Sequence, residues 1–357
     1  MQKYSKRKDG RYRTRVWDGN YVDGEKHYVD VYSTKSSRDL ELKVKEIEEK
    51  RNSGVLVKKS NVDMFEYTNE WIERTKSACE PSTKYAYSLV ASRALASWKG
   101  LTFENFTYNN IQDLFNEFKD KPSYGTKLKI LIKQIGKAAE RDKLLPKGTT
   151  ADIFEQIRFV KYKPKERVIL TAADKEKIAN LDMPLMEKCF IWTLYYTGLR
   201  RSEALALTVK DIQDGYLNVD KAYGISSDGY YLKTPKSERG KRKVPIPKKL
   251  QELYDVYVPT VTSDLLFSKA GQPLTKKMIE YLISDLQKTT GLKITLHNFR
   301  HNYCSTLCYE AVKHGNITPK KIAELLGDTE DMVMHVYSHI IEEQENVTEA
   351  IENALDF

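Results

Sequence analysis

Thr295-Leu296-His297-Asn298-Phe299-Arg300-His301 sets a histidine, an arginine and a second histidine at helical spacing, and an isolated tyrosine follows in Val336-Tyr337-Ser338-His339. Residues three apart in a helix share a face, so His297 and Arg300 point to one side. That pair suits a phosphate better than a metal, because a guanidinium is a fixed cation with a fork of donors. A tyrosine brought beside it could attack the phosphate. The rival reading is a zinc helix, since His297 and His301 stand at i and i+4. A hydrolase of the HExxH kind, however, needs glutamate where Asn298 stands, and Arg300 between the histidines would repel a cation. No metal is therefore expected, and His301 reads as a buried, hydrogen-bonded scaffold residue.

The rest of the chain bounds the setting. Its 357 residues exceed what one compact core usually serves, so two or three domains are expected. Apolar residues make up 40%, which argues against global disorder. Lys and Arg outnumber Asp and Glu by 59 to 50, and the net charge of +9 favours a polyanionic partner. Cys79, Cys189, Cys304 and Cys308 show no zinc-pair spacing; Cys304 and Cys308 read as buried free thiols in an apolar helix. No apolar run is long enough to cross a bilayer, and a basic, polar N-terminus argues against a signal peptide, so a reducing, cytoplasmic setting is expected.

The N-terminal segment carries Lys3, Lys6, Arg7, Lys8, Arg11, Arg13 and Arg15, with Asp9 opposing them. Tyr12–Trp17 and His27–Tyr32 alternate as strands do, among the turn signals Asp9-Gly10, Asp18-Gly19 and Asp23-Gly24. Ser36 to Arg51 reads as a charged helix with Leu40, Val44 and Ile47 on one face. Such a basic, aromatic strand face could lie in a DNA groove; the alternative is a solvated hairpin. After a linker at 54–61, four amphipathic helices are expected between Asp63 and Gly148, marked in turn by Trp71 and Ile72, by Pro81, Tyr85 and Leu89, by Ile111 and Leu114, and by Leu128 and Ile132. Lys127, Lys129, Lys133 and Lys137 interleave the last, as phosphate contacts or as a solvated face. Leu145–Gly148 closes that unit, Lys161–Arg167 connects onward, and Leu170–Asp174 starts a further helix capped by Thr171.

Tyr195-Tyr196-Thr197-Gly198-Leu199-Arg200-Arg201-Ser202-Glu203 resembles the first active-site box of the tyrosine recombinases, the phage integrase family. There the arginine after Thr-Gly-Leu clamps the scissile phosphate, which implies Arg200 here, with Glu203 able to hold an arginine. His297, Arg300 and His301 match the second box. Tyr230–Leu232 and Lys243–Ile246 read as two strands joined by a basic turn, like the family's mobile hairpin. Its lysine, held to protonate the departing 5′ oxygen, corresponds to Lys236, while Lys233, Lys241 and Lys243 crowd the same loop. The third box is Glu324-Leu325-Leu326-Gly327-Asp328-Thr329. The family typically carries histidine at the position of Asp328, with the nucleophilic tyrosine nine places on, where Tyr337 stands. An ionised aspartate cannot donate to a phosphate and would repel it. Helix capping by Asp328 or Thr329 is the plainer role, and His335 and His339 are candidates to replace the missing histidine.

The resemblance implies a multidomain α+β protein. An arm-type DNA-binding domain at 1–58 would hold a small three-stranded sheet plus a helix, and an all-α core-binding domain would span 63–150. A mixed, mainly α catalytic domain with a small β-hairpin sheet would span 165–357. It implies a cofactor-free, metal- and ATP-independent recombinase that cuts and rejoins DNA through a 3′-phosphotyrosyl link at Tyr337. Arg200, Lys236, His297 and Arg300 would form its catalytic set, and Glu203, His301, Asp328 and His339 would support it. Lys6, Arg7, Lys8, Arg11, Arg13, Arg15, Lys127, Lys133, Lys241 and Arg242 would contact DNA. The implied partners are double-stranded attachment sites of core and arm type, three further protomers in a homotetramer, and an excisionase or host DNA-bending protein. A C-terminal helix bearing Val347, Ile351, Ala354 and Leu355 would dock on a neighbour or in cis. The alternative is a non-catalytic or regulatory DNA-binding protein derived from the same fold.

Overall fold

Two antiparallel strands open the chain: β1 (Tyr12–Val22) and β2 (Glu25–Ser33), followed by α1 (Ser37–Asn52). Alternation places Tyr12, Val16 and Val31 inward, where they are buried against Leu40 and Val44 of α1. Arg13, Arg15 and Trp17 share the other face, opposite Tyr32, Asp30 and Tyr28. Among the described residues this sheet has two strands, not the three expected. The Asp18-Gly19 turn signal does not end β1; it is absorbed as a register shift between Trp17 and Tyr21.

The computed structural model describes residues 4–22, 25–52, 61–162, 170–235 and 240–344. The chain divides into two units, Met1–Pro164 and Lys165–Phe357. In the first, the sheet and α1 are followed by α2 (Met64–Lys76), α3 (Pro81–Ala94), α4 (Tyr108–Glu117), α5 (Pro122–Arg141) and α6 (Thr149–Gln156). The Asp63 carboxylate accepts the Phe65 and Glu66 amides at 2.8 and 2.9 Å and so caps α2, while prolines occupy the first turns of α3 and α5. Trp71, Ile72, Ile111, Leu128, Leu131 and Ile135 form one core. That core does not stop at Gly148. This glycine adopts φ +96° as the cap of α6, and Ile153 and Phe154 join the same core.

The second unit contains α7 (Ala172–Ala179), α8 (Leu185–Thr197), α9 (Arg201–Ala204), β3 (Ile212–Gln213), β4 (Tyr216–Val219), β5 (Ala222–Ser226), β6 (Gly229–Lys233) and β7 (Arg242–Pro245). It continues with α10 (Lys248–Tyr257), β8 (Ser268–Lys269), β9 (Gln272–Pro273), α11 (Lys276–Thr290), α12 (Leu296–His314), α13 (Pro319–Leu326) and α14 (Glu330–Gln344). Thr171 caps α7 as expected, accepting the Asp174 amide. The expected hairpin between 230–232 and 243–246 does not form. β6 folds back on β5 through the tight turn before Gly229, and β7 adds to β4 instead, in the order β3-β4-β7. β6 and β7 therefore belong to two different sheets. Lys236 itself falls among residues 236–239, outside the described residues, as does the expected tail beyond 344.

Helix α8 is apolar around most of its circumference, with Cys189, Phe190, Ile191 and Leu194 wholly inaccessible, so it runs through the core rather than along it. Phe190, Ile191 and Leu194 each stabilise the fold by about 2 kcal/mol through burial. Helix α12 serves two cores. Its Leu296 and Phe299 pack with α8 residues, while Cys304, Cys308 and Ala311 pack with Ile322, Leu326, Val333 and Val336 of α13 and α14. Both cysteines are the buried free thiols expected. Arg300 lies on the helix between these two cores. No described helix is long and apolar enough to cross a membrane.

Candidate active site

Gly198 ends α8 with φ +63°, a conformation that favours glycine, and a Cβ there would collide with the Tyr303 ring. The sharp exit makes Arg200 the N-terminal cap residue of α9. Its own amide donates to the Glu203 carboxylate at 2.8 Å, and its guanidinium donates to the other oxygen at 3.1 Å. Glu203, one turn into α9, is 6% exposed at the side chain.

From α12, Arg300 reaches back toward the same corner. Its Nη1 donates to the Gly198 carbonyl at 2.8 Å, so the residue that releases Arg200 also anchors Arg300. The two guanidiniums meet at Asp328, just past the end of α13. Oδ2 of Asp328 accepts from Arg200 Nη2 at 3.1 Å and from Arg300 Nη2 at 2.9 Å. Arg200 Nη2 also donates to the Gly327 carbonyl at 3.0 Å. The Arg300 side chain is 6% exposed and that of Arg200 38%. Arg200 thus presents the accessible end of the pair.

Arg242 completes the cluster from β7. It donates to both Glu203 oxygens, at 3.2 and 2.8 Å, and through Nε to the Leu325 carbonyl at 2.7 Å. Its side chain is 6% exposed, which corrects its expected place as a loop contact to DNA. The sequence did carry a signal for this. Period-two alternation puts Arg242 on the same strand face as Val244, which is fully buried.

Electrostatics follow from this packing. Burial opposes ionisation of Glu203, but the hydrogen bond and charge of Arg242, with the Arg200 amide and charge, outweigh it and lower its pKa. Asp328 behaves alike: burial raises its pKa, while the Arg300 hydrogen bond, the Thr329 amide and the charges of Arg300 and Arg200 bring it below the ordinary value. Burial, then the neighbouring Arg200 charge, pushes Arg300 down against the pull of Glu203 and Asp328. Three arginines face two carboxylates, leaving one net positive charge. The expected capping role is divided: Thr329 Oγ1 accepts the Met332 amide in the first turn of α14, while Asp328 chiefly bridges arginines.

His297 is exposed near the start of α12, where Thr295 and Asn298 form a reciprocal cap. It shares with Arg200, Arg201 and Thr295 a cleft of about 550 Å³. His301 stands edge-on to His297 at 4.3 Å between ring centroids and is half-buried, more open than the buried scaffold residue expected. Tyr337 is half-buried on α14, its ring against the α12–α13–α14 core. Among the described residues no hydrogen bond joins it to the arginine cluster. His335 and His339 are exposed on the same helix.

The expected DNA contacts divide by environment. Lys6, Arg7, Lys8, Arg11, Arg15, Lys127, Lys133 and Lys241 are exposed. Arg13 is paired through two bonds with Asp30 across the strands, and Arg15 approaches the same carboxylate at 3.6 Å. Arg11 and Arg13 both lie over the Tyr32 ring, at 5.6 and 5.5 Å. Part of the basic face is therefore neutralised from β2.

A small N-terminal sheet, a helical core and a mixed second unit together define the integrase fold. Over 83% of this chain and all of the solved one, it is similar to the integrase of transposon Tn1549, solved with transposon right-end DNA (TM-score 0.63, 18% identity). Over 92% of this chain and 93% of the other, it is similar to lambda integrase, solved as a tetramer on a Holliday junction (TM-score 0.58, 17% identity). The chain belongs to the phage integrase family, whose model matches residues 165–344. Among curated relatives, the transposase of Tn916 from Enterococcus faecalis is 27% identical over 192 residues, covering 47% of this chain and 44% of the relative. The chain thus spans about half the length of the curated relatives it matches.

Proposed function

We propose that this protein is a site-specific DNA recombinase of a mobile element, a prophage or a conjugative transposon, which cuts and rejoins DNA through a 3′-phosphotyrosyl bond at Tyr337. The observation that carries this reading is the convergence of Arg200 and Arg300, from distant segments, on one anionic oxygen. A scissile phosphate held there would have a non-bridging oxygen neutralised by donors fixed in advance, which favours the more highly charged pentacoordinate transition state. His297 would donate to the phosphate from the neighbouring cleft. Attack by the Tyr337 oxygen forms the phosphotyrosine and expels a 5′ hydroxyl, protonated by Lys236. The reverse attack by a 5′ hydroxyl reseals the strand, so no nucleotide cofactor is required. Glu203, itself held by Arg242, keeps Arg200 in place.

In this reading residues 1–58 grip arm sites, 63–150 clasp the core site through faces such as Lys127 and Lys133, and 165–357 cut. Four protomers assemble on two duplexes, and an excisionase or host bending protein sets direction. The test is a nicked duplex carrying the element's attachment core, incubated with the full chain in EDTA. A covalent protein–DNA adduct is expected from wild type and not from Tyr337→Phe. Wild-type binding without adduct would instead favour a regulatory DNA-binding role.

A further inference from the structure

Where the family resemblance leads one to expect a histidine, position 328 carries a carboxylate, and that carboxylate occupies the meeting point of the arginine pair. Asp328 Oδ2 lies 3.1 Å from Arg200 Nη2 and 2.9 Å from Arg300 Nη2. Two guanidiniums converging on one anionic oxygen reproduce the arrangement that a non-bridging phosphate oxygen would require of them. Both anions cannot hold that point together, because like charges at contact repel strongly in a partly buried site.

We propose that Asp328 is an internal counter-ion: it keeps Arg200 and Arg300 converged while no DNA is bound, and yields its place to the scissile phosphate. It is a positioning residue, and it sets the affinity of the clamp for phosphate. The proposal rests on reading the arginine pair as a phosphate clamp.

The surroundings let the carboxylate leave and the arginines stay. The Asp328 side chain is 28% exposed, while that of Arg300 is 6% exposed and tied to the Gly198 carbonyl. Arg200 keeps Glu203 and the Gly327 carbonyl after the carboxylate departs. Asp328 follows Gly327, whose φ of +62° ends α13, so it stands on a corner rather than inside a helix. It also lines a cleft of about 700 Å³ with Lys241, Lys243, Lys320 and Lys321, as well as Glu324 and Glu330. A carboxylate turned outward there exchanges arginine partners for a mixed, mainly cationic wall. With Asp328 in place the cluster carries one net positive charge, and without it two. Only a phosphate delivered by DNA that is already held elsewhere should compete well, so free phosphate ions should bind weakly.

The probe is inorganic phosphate, titrated against the thermal midpoint of the full chain at constant ionic strength set with chloride. Wild type, Asp328→Asn and Asp328→Ser are compared. Both neutral variants should bind phosphate at least about tenfold more tightly than wild type, a gain of about 1.4 kcal/mol. Adding Arg200→Ala to Asp328→Asn should abolish that gain. Equal phosphate dependence in all three proteins would overturn the proposal, as would a gain that survives Arg200→Ala. Failure of both neutral variants to fold would overturn it too, since the carboxylate would then be a strut rather than an exchangeable ion. The adduct assay stays separate: no adduct from wild type, with the phosphate gain intact, removes the recombinase reading and leaves the counter-ion.

Discussion

The arginines of β1 and those of the α9–α12–β7 corner are the same side chain in opposite situations. Arg13 is 32% exposed and pairs with Asp30 across a two-stranded sheet; Arg15 is 70% exposed beside the same carboxylate. Arg242 and Arg300 are each 6% exposed and donate to carbonyls and carboxylates drawn from distant parts of the chain. In the first region water and salt can replace either partner, so the pair is worth little. In the second, each donor has a fixed acceptor, and removing one side leaves a buried charge uncompensated. A basic residue on a strand thus has either role, and its neighbours on the same face decide which.

The hardest blow to this contrast would be a mild Arg242 variant. Arg242→Ala should lose about 3 kcal/mol of unfolding free energy in urea, because Glu203 is left buried and the Leu325 carbonyl loses a donor. The same variant should form about a hundredfold less adduct, as Arg200 loses its support; a loss of DNA affinity alone would return Arg242 to the expected loop contact. Acid gives a smaller effect with a defined sign. Glu203 and Asp328 have pKa values lowered on folding, so their contribution is present above the ordinary carboxylate range near about pH 4. It is lost as pH falls through their lower folded values. Urea midpoints measured from pH 7 down to 2.5 (roughly the span in which carboxylates titrate) should fall more steeply for wild type than for Asp328→Asn. Parallel curves would contradict the assigned ion pairs. The smallest effect is expected at the sheet: Arg13→Ala should cost no more than about 1 kcal/mol and nothing measurable in molar salt. A larger, salt-resistant loss would erase the difference between the two regions.

Local signals were legible in the sequence where a short stretch contains both the cause and its consequence. Thr171 and Pro81 start helices where their chemistry favours a start, and apolar spacing marks the faces of α2, α4 and α5 that are buried. Other features escaped. Tyr230–Leu232 and Lys243–Ile246 both read correctly as strands, yet their partners are β5 and β4, and alternation within a strand carries no record of its partner. Asp18-Gly19 reads as a turn and is a strand irregularity, because cross-strand pairing on both sides carries β1 through it.

Composition and order supply the side chains: the arginine after Gly198, the histidine and arginine one turn apart in α12, the tyrosine nine places beyond Asp328. Caps and periodicity that act over a few residues set the helices that carry them. The tertiary structure alone decided what these charges do to one another. Asp328 meets Arg200 across 128 positions of chain, and Arg242 meets Glu203 across 39. Coulomb and hydrogen-bond energies depend on separation in space and on exclusion of water, and neither is written at any one position. An aspartate that would repel a phosphate when considered alone becomes, in the folded protein, the ion that keeps two arginines waiting together.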